Sequence, residues 1–286
     1  LTLDVQAGST LKGTSNQDDY PAVDVLPSYG SGRDGGVLSH DKRFMALVFA
    51  TNVTDVKVTG GGTIDGSGFN WWQRHFVGTN QYARPHLIEF LFASRLEISN
   101  LHLKDSAFWT VHPYASRDIV VRAVNITAPG YAPNTDGVDP DSCSNVLIED
   151  CRMELGDDAI AIKSGLGHKG REFGKPTTNV TIRNLYVKPQ FDNLSTNGIS
   201  IGSEMSGGVS DIFISNVYMQ GVETGMFIKT SADRGGYVKN IHYNNITLVN
   251  CLQGTIFTFA YNTASPNAHF SSFDPSIHDD PLPIVK

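Results

Sequence analysis

The sequence predicts an all-β fold, a right-handed single-stranded parallel β-helix in which short strands stack coil upon coil as a solenoid. Two observations predict it. An eight-residue unit of alternating apolar and polar positions returns six times, and a second apolar segment follows most of its copies. In addition, no amphipathic helix of ordinary length is evident, which argues against a doubly wound α/β fold.

The repeated unit reads apolar-x-apolar-x-polar-apolar-x-apolar. Alternation with period two is typical of a strand with one buried face. Successive copies start 23, 27, 34, 32 and 29 residues apart, which indicates a constant coil with loops of variable length; they start at Leu96, Ile119, Val146, Val180, Ile212 and Ile241.

The fifth position of the unit is polar in every copy except one, where it is Ala123. Asparagine favours a bend there because it tolerates left-handed backbone angles and forms local hydrogen bonds. Stacked coils then predict an internal ladder in which one asparagine amide lies above the next. The polar residues at this position are Asn100, Asp150, Asn184, Asn216 and Asn245.

The second apolar segments align with one another and predict a second parallel sheet. A β-sandwich fits the composition but does not give this register. The aligned segments are 137–139, 159–163, 198–202, 225–229 and 254–257.

Length and composition set the outer limits of function. The 286 residues predict one domain, 1–286, which we expect to be truncated at both ends because no signal peptide precedes the first strand and the chain stops in an apolar segment. A net charge of −7 with no basic face argues against a nucleic-acid partner. No apolar run reaches the roughly 20 residues that span a membrane, and we expect a monomer.

The cysteines and the N-glycosylation sequons indicate whether the protein is secreted. Three cysteines allow one disulfide or none, and we expect Cys151 to be a buried thiol because it aligns with inward apolar positions. Five N-x-Ser/Thr sequons, if they are not chance products of the strand repeat, predict a secreted glycoprotein; they lie at Asn52, Asn125, Asn179, Asn193 and Asn245.

Acidic side chains converge in the predicted solenoid. Asp136 and Asp158 occupy equivalent places in successive coils, about 4.8 Å apart, and Asp157 adjoins them. Like charges this close raise one pKa, so that a protonated acid stands beside ionised carboxylates. Glycoside hydrolysis requires that pair of states. The alternative is a surface aspartate cluster such as a Ca²⁺ site.

Two lysines follow in the next column. Lys163 lies on the aspartate coil and Lys229 two coils further on. A solvent-facing cation there predicts a contact with a sugar carboxylate, and Lys229 is the stronger candidate.

These motifs resemble glycoside hydrolase family 28, the polygalacturonase family, over nearly the whole chain. The residues that carry the resemblance are Asn134-Thr135-Asp136-Gly137, Gly156-Asp157-Asp158, Gly202 to Val209, Ile228-Lys229-Thr230 with Arg234-Gly235-Gly236, and Gly62 to Gly66 with Trp71-Trp72.

The resemblance implies an inverting hydrolase of polygalacturonan or rhamnogalacturonan that needs no cofactor and no catalytic metal. It implies that Asp157 is the general acid, and that Asp136 and Asp158 position and deprotonate the water. Lys229 would bind the substrate carboxylate, and Asn134 would support the aspartates. Activity on pectin in the cell wall, outside the cell, follows from the same resemblance.

Two positions depart from the family pattern. Asn197 stands where polygalacturonases carry a histidine, and Phe227 where they carry an arginine. Asn197 and Arg234 are therefore further candidates for substrate binding, and the choice between polygalacturonan and rhamnogalacturonan stays open. We expect Glu204 to hydrogen-bond within its own loop.

Two other functions compete with hydrolysis. A β-helix lyase would use bound Ca²⁺ and an Arg or Lys base to eliminate, which gives unsaturated products. A non-catalytic β-helix would serve as a structural, adhesion or carbohydrate-binding protein, but the intact set of three aspartates argues against it.

Overall fold

The computed structural model describes residues 1–30, 40–190 and 196–261, and the backbone of 284–285. The sequon at Asn193 lies outside these ranges. Among the described residues, no helix is long and apolar enough to span a membrane.

The described chain is built almost entirely of strands. In chain order its elements are β1 Thr2–Asp4, β2 Thr10–Lys12, a 3-10 turn Gln17–Asp19, β3 Ala22–Asp24, β4 Lys42–Phe44, β5 Val48–Thr51, β6 Thr54–Thr59, β7 Thr63–Asp65, α1 Phe69–Phe76, β8 Ile88–Leu91, β9 Ser94–Lys104, β10 Val111–Tyr114, β11 Arg117–Thr127, β12 Ser144–Glu149, β13 Arg152–Leu155, β14 Ile160–Ile162, α2 Gly167–Phe173, β15 Thr177–Pro189, β16 Ile199–Gly202, β17 Val209–Gln220, β18 Thr224–Lys229, β19 Tyr237–Val249, β20 Gln253–Thr258 and β21 Ile284–Val285.

The strands form parallel sheets that run along the solenoid. The repeated units lie in a twelve-stranded sheet in which β9, β11, β12, β15, β17 and β19 are successive neighbours. The second apolar segments form β5-β8-β10 and β14-β16-β18-β20, which single bridges at Val138 join to one another. We call this face the cleft sheet. The predicted parallel β-helix is therefore confirmed.

The core lies between the two faces. Alternate residues of each repeated unit point inward, and the anchors Ile119 and Val180 pair with Val146 from either side. Cys151 is buried in this core as predicted, and all three cysteines are free thiols.

The predicted bend at the fifth position of the unit is present. The backbone of every one of these residues, including Ala123, has a φ between 51° and 56°. The amides stack as expected, with Asn245 donating to Asn216 Oδ1 at 2.8 Å and Asn216 to Asn184 Oδ1 at 3.3 Å. The ladder is exposed rather than internal, because in the left-handed bend the side chain points outward.

Candidate active site

The register of the cleft sheet places the predicted residues in one column. Val138 pairs with Ile160, and Ile160 with Ile199. Asp136, Asp158 and Asn197 therefore stand two residues earlier in three successive coils. Gly137 permits the close stacking, because a Cβ there would lie 2.4 Å from the carbonyl oxygen of Ala159. The predicted equivalence of Asp136 and Asp158 is confirmed.

The three aspartates meet as predicted. One carboxylate oxygen from each of Asp136, Asp157 and Asp158 lies within 4.8 Å of the others. Asp136 and Asp158 are 3% and 0% exposed, whereas Asp157 is half-buried and reaches solvent.

Asp158 is held by two side chains. Lys229 Nζ donates to Asp158 Oδ2 at 2.6 Å, and Asn197 Nδ2 donates to Oδ1 at 2.9 Å. Both oxygens thus accept a hydrogen bond from a fixed donor, one of them charged. Such contacts hold the carboxylate in one orientation, and the contact with the ammonium is charge-assisted.

Asp157 is held by the backbone instead. Its Oδ1 accepts from the N–H of Asp158 at 2.9 Å, and its Oδ2 accepts from the N–H of Asn134 at 3.1 Å. Burial and the negative charge of Asp158 nevertheless raise the pKa of Asp157 to about 6. A carboxyl group that keeps its proton in mildly acidic solution and reaches solvent can act as a general acid.

Asn134 links this turn to a buried arginine that the sequence did not reveal. Asn134 has a φ of 55°, which asparagine tolerates, and its Oδ1 accepts from Arg84 Nη2 at 2.6 Å. Arg84 Nη1 also donates to two carbonyl oxygens at 2.7 Å. The guanidinium therefore fixes the turn that carries Asp136.

Asp136 is less well satisfied. Its Oδ1 has no hydrogen-bond partner among the described residues, and its Oδ2 lies 3.8 Å from Lys163 Nζ. Burial, followed by the negative charges of Asp157 and Asp139, raises the pKa of Asp136 well above its ordinary value.

The prediction that Lys163 faces solvent is wrong. Its side chain is 4% exposed, and its Nζ lies 3.0 Å from Glu204 Oε2 and 4.2 Å from the centre of the Trp109 ring. The side chain of Glu204 is bonded to Lys163 as well as to Ser203 of its own loop at 3.2 Å. Burial alone would raise the pKa of Glu204, but Lys163 and Arg234 lower it to about 2.

Asp139 is an acidic residue that sequence reasoning missed. It is fully buried and lies 3.6 Å from Lys163 Nζ. Neither of its oxygens has a hydrogen-bond partner among the described residues, and burial raises its pKa to about 7. Its place three residues after Asp136, on the outward side of the cleft sheet, was the available signal.

Lys229 is 5% exposed and does not face open solvent. Its Nζ lies 5.4 Å from the centre of the Phe227 ring and 4.9 Å from that of Tyr261. Phe227, which replaces the arginine of the family pattern, contacts Tyr261 edge-on at 5.8 Å.

Arg234 lies beside Glu204 at the same end of the site. Its Nε donates to Ser231 Oγ at 3.0 Å. Its buried Nη1 has no hydrogen-bond partner in the described part of the chain, so the guanidinium retains a donor for an anion.

A second buried cluster lies next to the site, towards the N-terminal coils. Both His86 Nδ1 and His112 Nδ1 lie within 3.2 Å of Glu89 Oε1, and Arg43 Nη1 lies 2.6 Å from Glu89 Oε2. Burial lowers the pKa of His112, but the carboxylates of Asp141 and Glu89 outweigh it and raise this pKa to about 9.

Two groups of described residues bring enough donor atoms together for a metal ion, namely His86 with Glu89 and His112, and the three aspartates. In both groups protein cations already supply positive charge, from Arg43 and the His112 imidazolium in the first and from Lys229 and Lys163 in the second. We therefore interpret both as ion-pair clusters.

The chain was compared with known proteins. The family model "Glycosyl hydrolases family 28" matches residues 11–272. A "Probable polygalacturonase" of Vitis vinifera is 42% identical over 87% of this chain and 49% of its own length. Another, from Arabidopsis thaliana, is 32% identical over 75% of this chain and 43% of its own length.

Among solved structures, a hyperthermoactive exopolygalacturonase from Thermotoga maritima superimposes with a TM-score of 0.81 and 26% identity, over 99% of this chain and 67% of that one. The chain spans about half the length of the two plant relatives. The family match covers most of the sequence, and the fold and the motif residues agree with it. The chain belongs to family 28 of the glycosyl hydrolases.

Proposed function

We propose that this chain carries the active site of an inverting glycoside hydrolase that cleaves pectin-type polysaccharide, either polygalacturonan or rhamnogalacturonan. The observation that carries the proposal is the unequal environment of neighbouring carboxyls. Asp158 is bonded to Lys229 and Asn197, whereas the pKa of Asp157 is raised to about 6. A carboxyl with a raised pKa beside a carboxylate that is held by hydrogen bonds suits the role of general acid.

In the proposed mechanism Asp157 protonates the departing glycosidic oxygen. Its half-buried position supports this role, because the acid has to reach the substrate. Asp136 and Asp158 hold a water molecule, and the carboxylate takes its proton as the water attacks the anomeric carbon. Asn134 supports the acid through its backbone N–H, which donates to Asp157 Oδ2.

We propose that the sugar carboxylate is bound by Lys229 and Arg234. An ammonium group has three N–H donors, so the hydrogen bond from Lys229 to Asp158 leaves donors for a substrate oxygen. The unpartnered Nη1 of Arg234 supports a second contact. Asn197, whose Nδ2 is used by Asp158, would contact the substrate through its Oδ1, which is also unpartnered among described residues.

One observation favours the other stereochemical outcome. Carboxyl groups are about 6.5–9.5 Å apart in most inverting glycosidases and about 5–5.5 Å apart in retaining ones, and here the oxygens lie within 4.8 Å. A retaining enzyme, however, needs a carboxylate that can attack the sugar itself. Asp157 accepts from two backbone N–H groups and Asp158 from two side chains. Asp136 has an oxygen without a partner among the described residues but is only 3% exposed, which supports activated water instead.

Two assays test the proposal. Release of reducing ends from polygalacturonan and from rhamnogalacturonan identifies the substrate, and no release from either would refute hydrolysis. Proton NMR of the first product formed then shows whether the anomeric configuration is inverted. Unsaturated products absorbing in the ultraviolet, formed only with Ca²⁺, would identify a lyase instead.

We also propose that the protein acts outside the cell, on cell-wall pectin, as a monomer. Asn52 and Asn125 support a secretory route, because both sequon side chains are exposed on the solenoid. Treatment of the purified native protein with a peptide N-glycosidase, followed by mass spectrometry, would reveal attached glycans.

A further inference from the structure

Lys163 is a buried cation that the proposed reaction does not yet use. It follows β14, and its ammonium is enclosed by carboxylates from two segments of the chain and by the ring of Trp109. Glu204 Oε2 lies 3.0 Å away, Asp139 Oδ1 3.6 Å and Asp136 Oδ2 3.8 Å. Three protein carboxylates surround this ammonium, so its donors are directed at the protein and not at the sugar.

The charges around Asp136 make Lys163 important. Asp157 and Asp158 from the next coil, and Asp139 from its own segment, all oppose the ionised form of Asp136. Lys163 favours the ionised form, as does the more distant Arg84, whose guanidinium is bonded to Asn134. Without Lys163, a buried Asp136 carboxylate would face three acidic neighbours with little compensation.

Glu204 competes with Asp136 for the same ammonium. Of the three carboxylates, Glu204 lies closest to Lys163 and takes a direct hydrogen bond. Lys163 Nζ lies 3.0 Å from Glu204 Oε2 but 3.8 Å from Asp136 Oδ2. How the positive charge of Lys163 is divided between these two partners thus affects whether Asp136 carries a proton.

We propose that Lys163 is a positioning residue that favours the ionised form of Asp136 for water activation without touching the substrate, and that Glu204 limits this effect by sharing the ammonium. The inference rests on the proposed hydrolase function. Lys229 and Arg234 would then bind the sugar carboxylate, whereas Lys163 would influence the protonation of Asp136, one of the two aspartates that hold the water.

The test compares three variants by the pH dependence of kcat/KM on the polysaccharide that the wild type hydrolyses. Lys163→Met should move the acid limb about one to three pH units upward, because the base would then hold its proton more tightly. Lys163→Arg keeps the charge and should retain a limb close to that of the wild type. Glu204→Gln leaves the Lys163 ammonium to Asp136 and Asp139, and should move the limb downward.

A limb that stays in place in Lys163→Met would overturn the inference, as would an increase in KM with the limb unchanged, which indicates a substrate contact. If Lys163→Met fails to fold by circular dichroism, the direction of the shift in Glu204→Gln decides. An unmoved or upward-shifted limb in that variant would also overturn it.

Carboxyl ¹³C NMR of labelled aspartate follows the titration of Asp136 itself and needs no substrate. Its signal is identified by its loss in Asp136→Asn. A higher midpoint for the Asp136 titration in Lys163→Met than in the wild type would support the role of Lys163, whether or not the wild type shows turnover. A lack of turnover in the wild type would refute the proposed hydrolase function. An unchanged midpoint in an active enzyme would refute only the role of Lys163.

Discussion

Substitution of Asp157 by asparagine tests the assignment of the general acid. The change removes the proton that the leaving oxygen would receive. Loss of a general acid costs about 10²–10⁴-fold in turnover, so we expect kcat to fall within that range. The two oxygens of Asp157 accept from the backbone N–H groups of Asn134 and Asp158, at 3.1 and 2.9 Å. Asparagine would replace one of these oxygens with an NH₂ group, so one of the two hydrogen bonds would be lost.

The pH dependence of the wild type gives the same test without a mutation. A general acid acts in its protonated form, and burial raises the pKa of Asp157 to about 6. Activity should therefore decline above this value, by about tenfold for each further pH unit, whereas the acid limb reports protonation of the base. The negative charge of Asp157 also raises the pKa of Asp136, so the limb reports interacting carboxyls rather than one residue.

The assay is the initial rate of reducing-end release between pH 3 and 8. Asp118→Asn is the matched control. Asp118 belongs to β11, outside the cleft sheet, and its exposed carboxylate accepts a hydrogen bond from Asn145. It should leave kcat unchanged. Full activity of the wild type at pH 8, or an unchanged kcat in Asp157→Asn with its fold intact, would refute the assignment.

Two further predictions concern the surroundings of the site. Asn197→Ala removes one hydrogen bond to the Asp158 carboxylate, for which about 1.5–3 kcal/mol is typical; we expect kcat to fall roughly 10–100-fold while circular dichroism stays unchanged, and an unaffected kcat would contradict the role of Asn197. Arg43→Met leaves Glu89 as a buried charge without its arginine, so unfolding in urea should show a loss of about 3–5 kcal/mol. The exposed ion pair of Arg95 is the comparison, and Arg95→Met should cost no more than about 1 kcal/mol.

The solenoid explains why much of the site could be predicted from the sequence. In stacked parallel coils, two residues that align in the repeat also lie next to each other in space. Aligning the segments that follow Asp136 and Asp158 therefore placed these two side chains at equivalent positions, as the register confirms. The register adds Asn197 to the same column. The left-handed bend at Asn184 and Asn216 was predictable for the same reason, because it belongs to the repeat.

The surroundings of the column lie outside the repeat. Glu204 and Trp109 belong to turns of irregular length, and Arg84 to the segment between α1 and β8, so alignment of coils says nothing about where these side chains end. Lys163 lies in the predicted column. The turns that carry Glu204 and Trp109 cover it, so its ammonium, which we expected to face solvent, is buried against carboxylates.

The sequence by itself determined the β-helix, the family and the meeting of the three aspartates, because each follows from periodicity and local motifs. Only the tertiary structure decided how the charges are shared. Asp158 is bonded to Lys229 and Lys163 to Glu204, whereas Asp136 and Asp139 keep buried oxygens without hydrogen-bond partners among the described residues. The physical reason is that pKa values depend on burial and on distances between atoms, which are fixed only when irregular loops pack over the coils.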